Sequence, residues 1–187
     1  MIIKDNNPYI GPSFSLANRF ARFAWELTWL LFFRPSPRLF HAWRNALLRI
    51  FGASVGQHVH IHPDVRVWAP WKLHVGSFVG IGRGTNIYNM GDISIGDYAV
   101  ISQGTHLCGG SHDHNASNFQ LFSAPISIGP RTWLCADSFV GPGVAIPTGV
   151  VVGARSVVVK TIGEPWTVWC GMPARKVGIR NVHKAAE

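Results

Sequence analysis

The sequence predicts a mainly β solenoid in which the chain winds as a three-sided coil. Three observations predict it. An aliphatic residue returns at every sixth position in five triplets: Val55, Ile61, Val67; Val75, Ile81, Ile87; Ile95, Ile101, Leu107; Ile128, Leu134, Val140; Ile146, Val152, Val158. Glycine follows it in seven hexads, at Gly56, Gly76, Gly82, Gly96, Gly129, Gly141 and Gly153. The fifth place holds Val, Thr, Ser, Ala or Gly everywhere except at Trp71 and Ile162. A helix would space apolar residues three and four apart, and plain strand alternation would not fix glycine at one offset. A hexad suits one flat side and one corner, with the aliphatic side chain inward and glycine where the backbone needs unusual dihedrals. About five coils then stack with parallel strands roughly 4.8 Å apart around one continuous core.

Length and charge bound the rest. The 187 residues suit one domain with small appendages and can bury a core without disulfides. The net charge is +8, yet only 14% of residues are charged and 47% are hydrophobic, which excludes a disordered basic tail. A basic balance calls for an anionic partner: nucleic acid, acidic lipid or a phosphate-bearing cofactor. The basic residues are dispersed and match no nucleic-acid-reading motif, so nucleic acid is not expected. Cys108, Cys135 and Cys170 form no CxxC pair and read as free thiols in a reducing compartment.

Residues 1–53 precede the repeat. Met1 to Ser13 is polar and carries Lys4 and Asp5, so no signal peptide is expected there. A first helix is expected over residues 16–33. Its apolar run, residues 23–33, is interrupted only by Glu26 and Thr28. As a helix that run is about 16 Å long, too short for a hydrocarbon core of about 30 Å. Arg34-Pro35-Ser36-Pro37 breaks it. Ser36 suits an N-cap and Pro37 a first helical position, which predicts a second helix ending near Phe51 before Gly52. It would carry Leu39, Phe40, Trp43, Leu47 and Ile50 on one side and Arg38, His41, Arg44, Asn45 and Arg49 on the other. Such a hairpin caps the open first coil. A basic amphipathic helix beside an aromatic one also suits peripheral contact with an anionic membrane.

The solenoid is expected over residues 54–162. Its phase slips by two residues before Val75, by two before Ile95 and by fifteen before Ile128. The long insertion gives a loop, residues 111–125, rich in His, Asn and Ser, and a loop of that size is a functional candidate. Residues 163–187 form a short tail, part of which folds back on the last coil.

The hexads, the loop's Gly110-Ser111-His112-Asp113 and the tail's Gly171-Met172-Pro173-Ala174-Arg175 resemble the hexapeptide-repeat acyltransferases. Phe14-Ser15-Leu16, residues 33–38, Trp68-Ala69-Pro70-Trp71 and Ile101-Ser102-Gln103-Gly104 look like the bacterial colanic acid biosynthesis acetyltransferases, nearly end to end. The resemblance implies a left-handed parallel β-helix. It implies acetyl-CoA-dependent O-acetylation of a sugar hydroxyl in exopolysaccharide assembly, in the cytoplasm or at the inner face of the plasma membrane. The acceptor would be a sugar or a lipid-linked oligosaccharide. In the family, coenzyme A lies between two subunits of a homotrimer.

Site residues carry over with the motifs. His112 matches the catalytic histidine, with His114 as rival base and acceptor contact. A histidine suits the task, since an acceptor hydroxyl must lose its proton as it attacks a thioester. No acyl-enzyme is required, so Cys108 and Cys135 need not be nucleophiles and read as small buried hydrophobes. Ala136 and Ala154 match the small residues along the pantetheine arm, with Trp133 in the same coil, and the N–H near Ala136 is the oxyanion donor. Lys160 and Arg175 match basic residues that meet the phosphates. Tyr88, Asn89 and Asp92 lie toward the acceptor side; Asn89 and Asp92 serve either a sugar or the corner of their coil. His58, His60 and His62 alternate and could share a face as metal ligands, but they read as solvent-facing, and no metal is expected. A zinc carbonic anhydrase of the same fold uses two histidines five apart, a spacing no histidine pair has here. Two alternatives stay open: an acyl- or N-acetyltransferase on a nucleotide amino-sugar, and a non-catalytic scaffold.

Overall fold

The structure, a computed structural model, describes residues 11–182, so Lys4, Asp5 and His183 lie outside the described residues. The first coil is β1 (Ser54–Val55), β2 (His60–Ile61) and β3 (Arg66–Val67). The second is β4 (Leu73–Val75), β5 (Gly80–Ile81) and β6 (Asn86–Tyr88), and the third β7 (Ile93–Ile95), β8 (Val100–Ile101) and β9 (His106–Cys108). A hairpin of β10 (Gly110–His112) and β11 (Leu121–Ser123) interrupts the winding. It resumes with β12 (Ile126–Ile128), β13 (Trp133–Leu134) and β14 (Phe139–Val140), then β15 (Ala145–Ile146), β16 (Val151–Val152) and β17 (Val157–Val158). The tail forms β18 (Thr167–Gly171) and β19 (Ala174–Ile179).

Corresponding strands stack in parallel into three sheets. Sheet I is β1-β4-β7-β12-β15, sheet II runs from β2 through β5, β8, β13 and β16 to β18, and sheet III is β3-β6-β9-β14-β17. The fifteen aliphatic positions are the buried core, as the period predicts. The tail is more ordered than expected: β18 starts a sixth turn on sheet II, and β19 pairs back on it antiparallel.

All three slips of phase fall at one corner, between sheets III and I. In the first coil the extra residues form a 3-10 turn, Pro70–Lys72, which explains why Trp71 breaks the hexad rule. The second coil makes a bend at residues 90–91, and the third sends out the hairpin. The corner between sheets I and II is uninterrupted. There His58, Phe78, Tyr98, Arg131 and Trp166 all have positive φ, between 52° and 60°. Non-glycine residues rarely adopt that conformation singly. Here successive coils repeat it and stack: His58 on Phe78 at 5.0 Å, Phe78 on Tyr98 at 4.8 Å, Arg131 over Tyr98 at 4.9 Å.

The N-terminal cap departs from expectation in an informative way. Helix α1 (Leu16–Thr28) runs into a π-helical turn, Trp29–Phe33, and α2 spans His41–Ile50. The expected sides of the second helix are partly exchanged: Leu47 is buried and Arg38 and Arg49 are exposed as expected, but Arg44 and Asn45 are buried, while Leu39, Phe40, Trp43 and Ile50 are exposed. The reason lies in the first coil. Its carbonyls have no strand beneath them, and buried carbonyls must find donors. The cap supplies them. Trp25 Nε1 donates to Val67 O at 2.6 Å, Trp29 Nε1 to Val65 O at 2.8 Å, and Asn45 Nδ2 to Val59 O at 2.8 Å. Arg44 Nε donates to Ile61 O at 2.7 Å, and Arg49 to Val55 O and Gly56 O. Arg44 also gathers the preceding turn, donating to Ser36 Oγ, Pro37 O and Arg38 O. Ser36 therefore does not cap a helix at Pro37, and α2 starts four residues later, at His41.

Three partly buried histidines make the fold acid-sensitive. His41 stacks on His60 at 4.6 Å and lies 3.1 Å from Arg44 Nη2. Burial, and then Arg44, push His41 below its ordinary value; burial, and then Arg38, do the same to His62. Burial alone lowers His106, whose Nε2 faces the Asn86 amide. Each folded value lies below the unfolded one, so the unfolded chain takes up protons first as pH falls. Stability is full above the ordinary histidine value of about 6.5 and declines below it. The urea midpoint is expected to be lower at pH 5.5 than at pH 7.5. An equal or higher midpoint at pH 5.5 would contradict this.

Candidate active site

The long insertion is not an open loop but an antiparallel hairpin, with Gly110 opposite Ser123, Ser111 opposite Phe122 and His112 opposite Leu121. Its base crosses the second coil closely. A Cβ on Gly110 would collide with the Met90 sulfur, so a larger residue there would have to displace the Met90 side chain. At the tip, Asp113 N–H donates to Gln120 O at 2.8 Å, and Asp113 Oδ1 accepts from Asn115 N–H at 2.9 Å. Phe119, at φ 46°, turns its carbonyl back toward His112.

His112 Nδ1 lies 2.6 Å from that carbonyl oxygen. A carbonyl only accepts, so Nδ1 carries the proton, and in the neutral ring Nε2 keeps its lone pair. The ring is exposed on a cavity of about 620 Å³ that His114, Asp113, Asn118 and Phe122 also line. His114 shares the cavity, but its ring makes no hydrogen bond among the described residues. Geometry therefore distinguishes the two histidines: one has its tautomer and orientation fixed, the other does not. The pinning group escaped sequence reading because Phe119 acts through its backbone.

Tyr88, Asn89 and Asp92 lie one coil below the hairpin, at the same corner. Tyr88 is half-buried against Trp68, with ring centroids 5.8 Å apart, and burial pushes its phenol up. Asp92 is exposed, and its carbonyl accepts from Ile126 N–H. Asn89 is corrected as a sugar contact. It is fully buried, its Oδ1 accepts from Trp68 N–H and Ala69 N–H, and its Nδ2 donates to Ala69 O. Its side chain is committed to holding the first coil's insertion on the second, the corner role that the sequence left open.

Trp133, Ala136, Ala154, Lys160 and Arg175 lie elsewhere. Ala136 and Ala154 sit one coil apart in turns between sheets II and III, joined by Arg155 N–H to Ala136 O at 2.9 Å. The Ala136 N–H has no partner among the described residues. Trp133 stands exposed on sheet II and donates from Nε1 to Ser102 Oγ at 2.9 Å. The β18–β19 hairpin brings Arg175 beside Lys160, and both line a cavity of about 350 Å³ with Trp169 and Pro173. His112 leaves the solenoid from a different corner than the one bearing Ala136 and Ala154.

The three cysteines are free and partly buried. Cys108 Sγ donates to Gly110 O, and burial beside Cys170 pushes the Cys135 thiol up, away from the reactive thiolate. His58 stacks on Phe78 and His60 on His41. Among the described residues no group of three side chains could hold a metal ion.

Known proteins extend this picture. No family model matches the chain. The protein described as colanic acid biosynthesis acetyltransferase WcaF of Escherichia coli K12 is 46% identical over 151 residues, covering 80% of this chain and 82% of that one. The maltose O-acetyltransferase from Clostridium difficile 630 superposes with a TM-score of 0.79 at 25% identity, covering 90% of both chains. A galactoside acetyltransferase in complex with coenzyme A, 24% identical, shares the fold at a TM-score of 0.77 over 91% of this chain and 86% of that one. The chain belongs to the hexapeptide-repeat acetyltransferases. Within them it is similar to WcaF over most of both lengths.

Proposed function

We propose that this acetyltransferase moves an acetyl group from acetyl-CoA to a sugar hydroxyl during exopolysaccharide assembly, in one direct step with His112 as general base. The observation that carries the reading is the His112 ring, pinned through Nδ1 with Nε2 free toward an open cavity. Nε2 takes the acceptor hydroxyl's proton as that oxygen attacks the thioester carbonyl carbon. The Ala136 N–H donates to the oxyanion. Collapse expels the thiolate, which recovers the proton from His112, so no group on the chain is acylated.

Lys160 and Arg175 fit the donor's phosphates, and Ala136 and Ala154 leave room for a slender arm along their corner. His112 and that corner diverge within one chain, which supports a site closed by a second subunit of a homotrimer. Tyr88, Asp92 and His114 face the acceptor, a sugar or a lipid-linked oligosaccharide at the cytoplasmic side of the membrane. The test is to incubate the protein with acetyl-CoA and candidate glycans and to follow free coenzyme A and acetylated product. Release of coenzyme A without an acetylated glycan would defeat the reading. Replacing Lys160 and Arg175 together by alanine is expected to raise KM for acetyl-CoA by about 10–100-fold with kcat little changed. An unchanged KM would remove both from the donor site.

A further inference from the structure

We infer that the N-terminal cap docks on the surface of an anionic phospholipid bilayer. This does not depend on the chemistry assigned to His112. The cap helices turn their donors toward the first coil and leave an apolar surface outward. On α1, Trp25 and Trp29 point to the solenoid, while Leu16, Phe20, Phe23 and Leu27 recur four, three and four residues apart on the opposite stripe. Phe20 and Phe23 are 71% and 69% exposed; Leu39, in the turn before α2, and Ile50, at its end, are 84% and 75% exposed. A helix covering a soluble domain ordinarily does the reverse. Leu16, Phe20 and Phe23 line one surface together, and exposed apolar side chains grouped in this way mark an interaction site.

Charge and position select the partner. Residues 11–53 carry six arginines and one acid, Glu26, which pairs with Arg66. Arg44 and Arg49 are spent on carbonyls, and Arg22 lies over the Trp68 ring at 4.4 Å. Arg19 borders Leu16, Phe20 and Phe23, and Arg34 and Arg38 are exposed on the turn before α2, Arg34 over the Trp29 ring at 5.5 Å. Arg34 and Arg38 also line a cavity of about 450 Å³ with His62, Arg83 and Asp64, the last held by Arg83 at 3.4 Å. The apolar stripe lies on the far side of the helices from the coils, so it looks out along the solenoid axis. A lateral neighbour touches sheets and corners and leaves this end free. A second cap meeting it end to end would set arginines against arginines, a like-charge contact that costs binding. A bilayer with anionic headgroups satisfies both the apolar stripe and its cationic rim. No helix among the described residues is long and apolar enough to cross a membrane, so the cap lies in the interface.

The experiment is flotation of the full chain with vesicles of phosphatidylcholine alone or with about one third phosphatidylglycerol, at low and high salt. The expected result is co-flotation with the anionic vesicles, weakened by salt. Phe20→Ser with Phe23→Ser should lower partitioning by at least about tenfold. Arg34→Gln and Arg38→Gln should each lower it by about fivefold. Circular dichroism and elution volume should stay as in the parent, since all four side chains are exposed. The arginine variants carry the test alone if the phenylalanine pair fails to fold. Failure to float with anionic vesicles at low salt would overturn the inference, as would equal flotation with phosphatidylcholine alone. So would sedimentation of end-to-end pairs that the Phe20 and Phe23 changes separate.

Discussion

Replacing His112 by alanine is expected to lower acetyl transfer by about 10²–10⁴-fold, the usual range for loss of a general base. The acceptor hydroxyl would then have to lose its proton to water while attacking a neutral thioester. The change should leave the fold intact, because the His112 ring is exposed on a hairpin outside the coils. It should also leave KM for acetyl-CoA nearly unchanged, since Lys160 and Arg175 lie in another cavity. His114→Ala is the internal control. Its ring has no fixed partner, and its removal should cost far less. Steady-state coenzyme A release from the two variants checks both statements. Turnover close to the parent's in His112→Ala would move the base elsewhere.

Arg44→Met is expected to destabilise the protein by about 3–5 kcal/mol, since one side chain serves several buried carbonyls at once. It is fully buried and bonds to Ile61 O, Pro37 O, Arg38 O and Ser36 Oγ. Methionine matches the length of the stem but donates nothing, so the open rim of the first coil and the turn before α2 lose their common partner together. Lysine should not rescue it, because one ammonium cannot reach donors spread around a planar fork. Urea or guanidinium denaturation reads the loss directly. A change below about 1 kcal/mol would show that water replaces the guanidinium.

The solenoid was legible because its signal is redundant: fifteen inward positions, all but the Val67 and Val158 hexads with a glycine or small-residue echo, cannot all mislead. The two-residue slips at Val75 and Ile95 were legible as positions but not as structure. Nothing local says that both fall at the hairpin's corner, or that Asn89 spends its whole amide joining them. The cap was misread for a general reason. Helical pattern reading assumes that the apolar side faces the core, which holds when the core presents methyl groups. The rim of a β-coil presents carbonyls, and Arg44 and Asn45 answer it better than Leu39 or Ile50 could. His112 was found from its motif, while its tautomer depends on the Phe119 carbonyl, which no side-chain code records.

Confining every irregularity of the winding to the corner between sheets III and I has an evolutionary consequence. That corner can gain, lose or reshape segments while the three stacked sheets keep their register. The other two corners stay straight columns. A lineage built on this plan can exchange one protrusion without redesigning the body that carries it, and under the proposed function that exchange would change the acceptor.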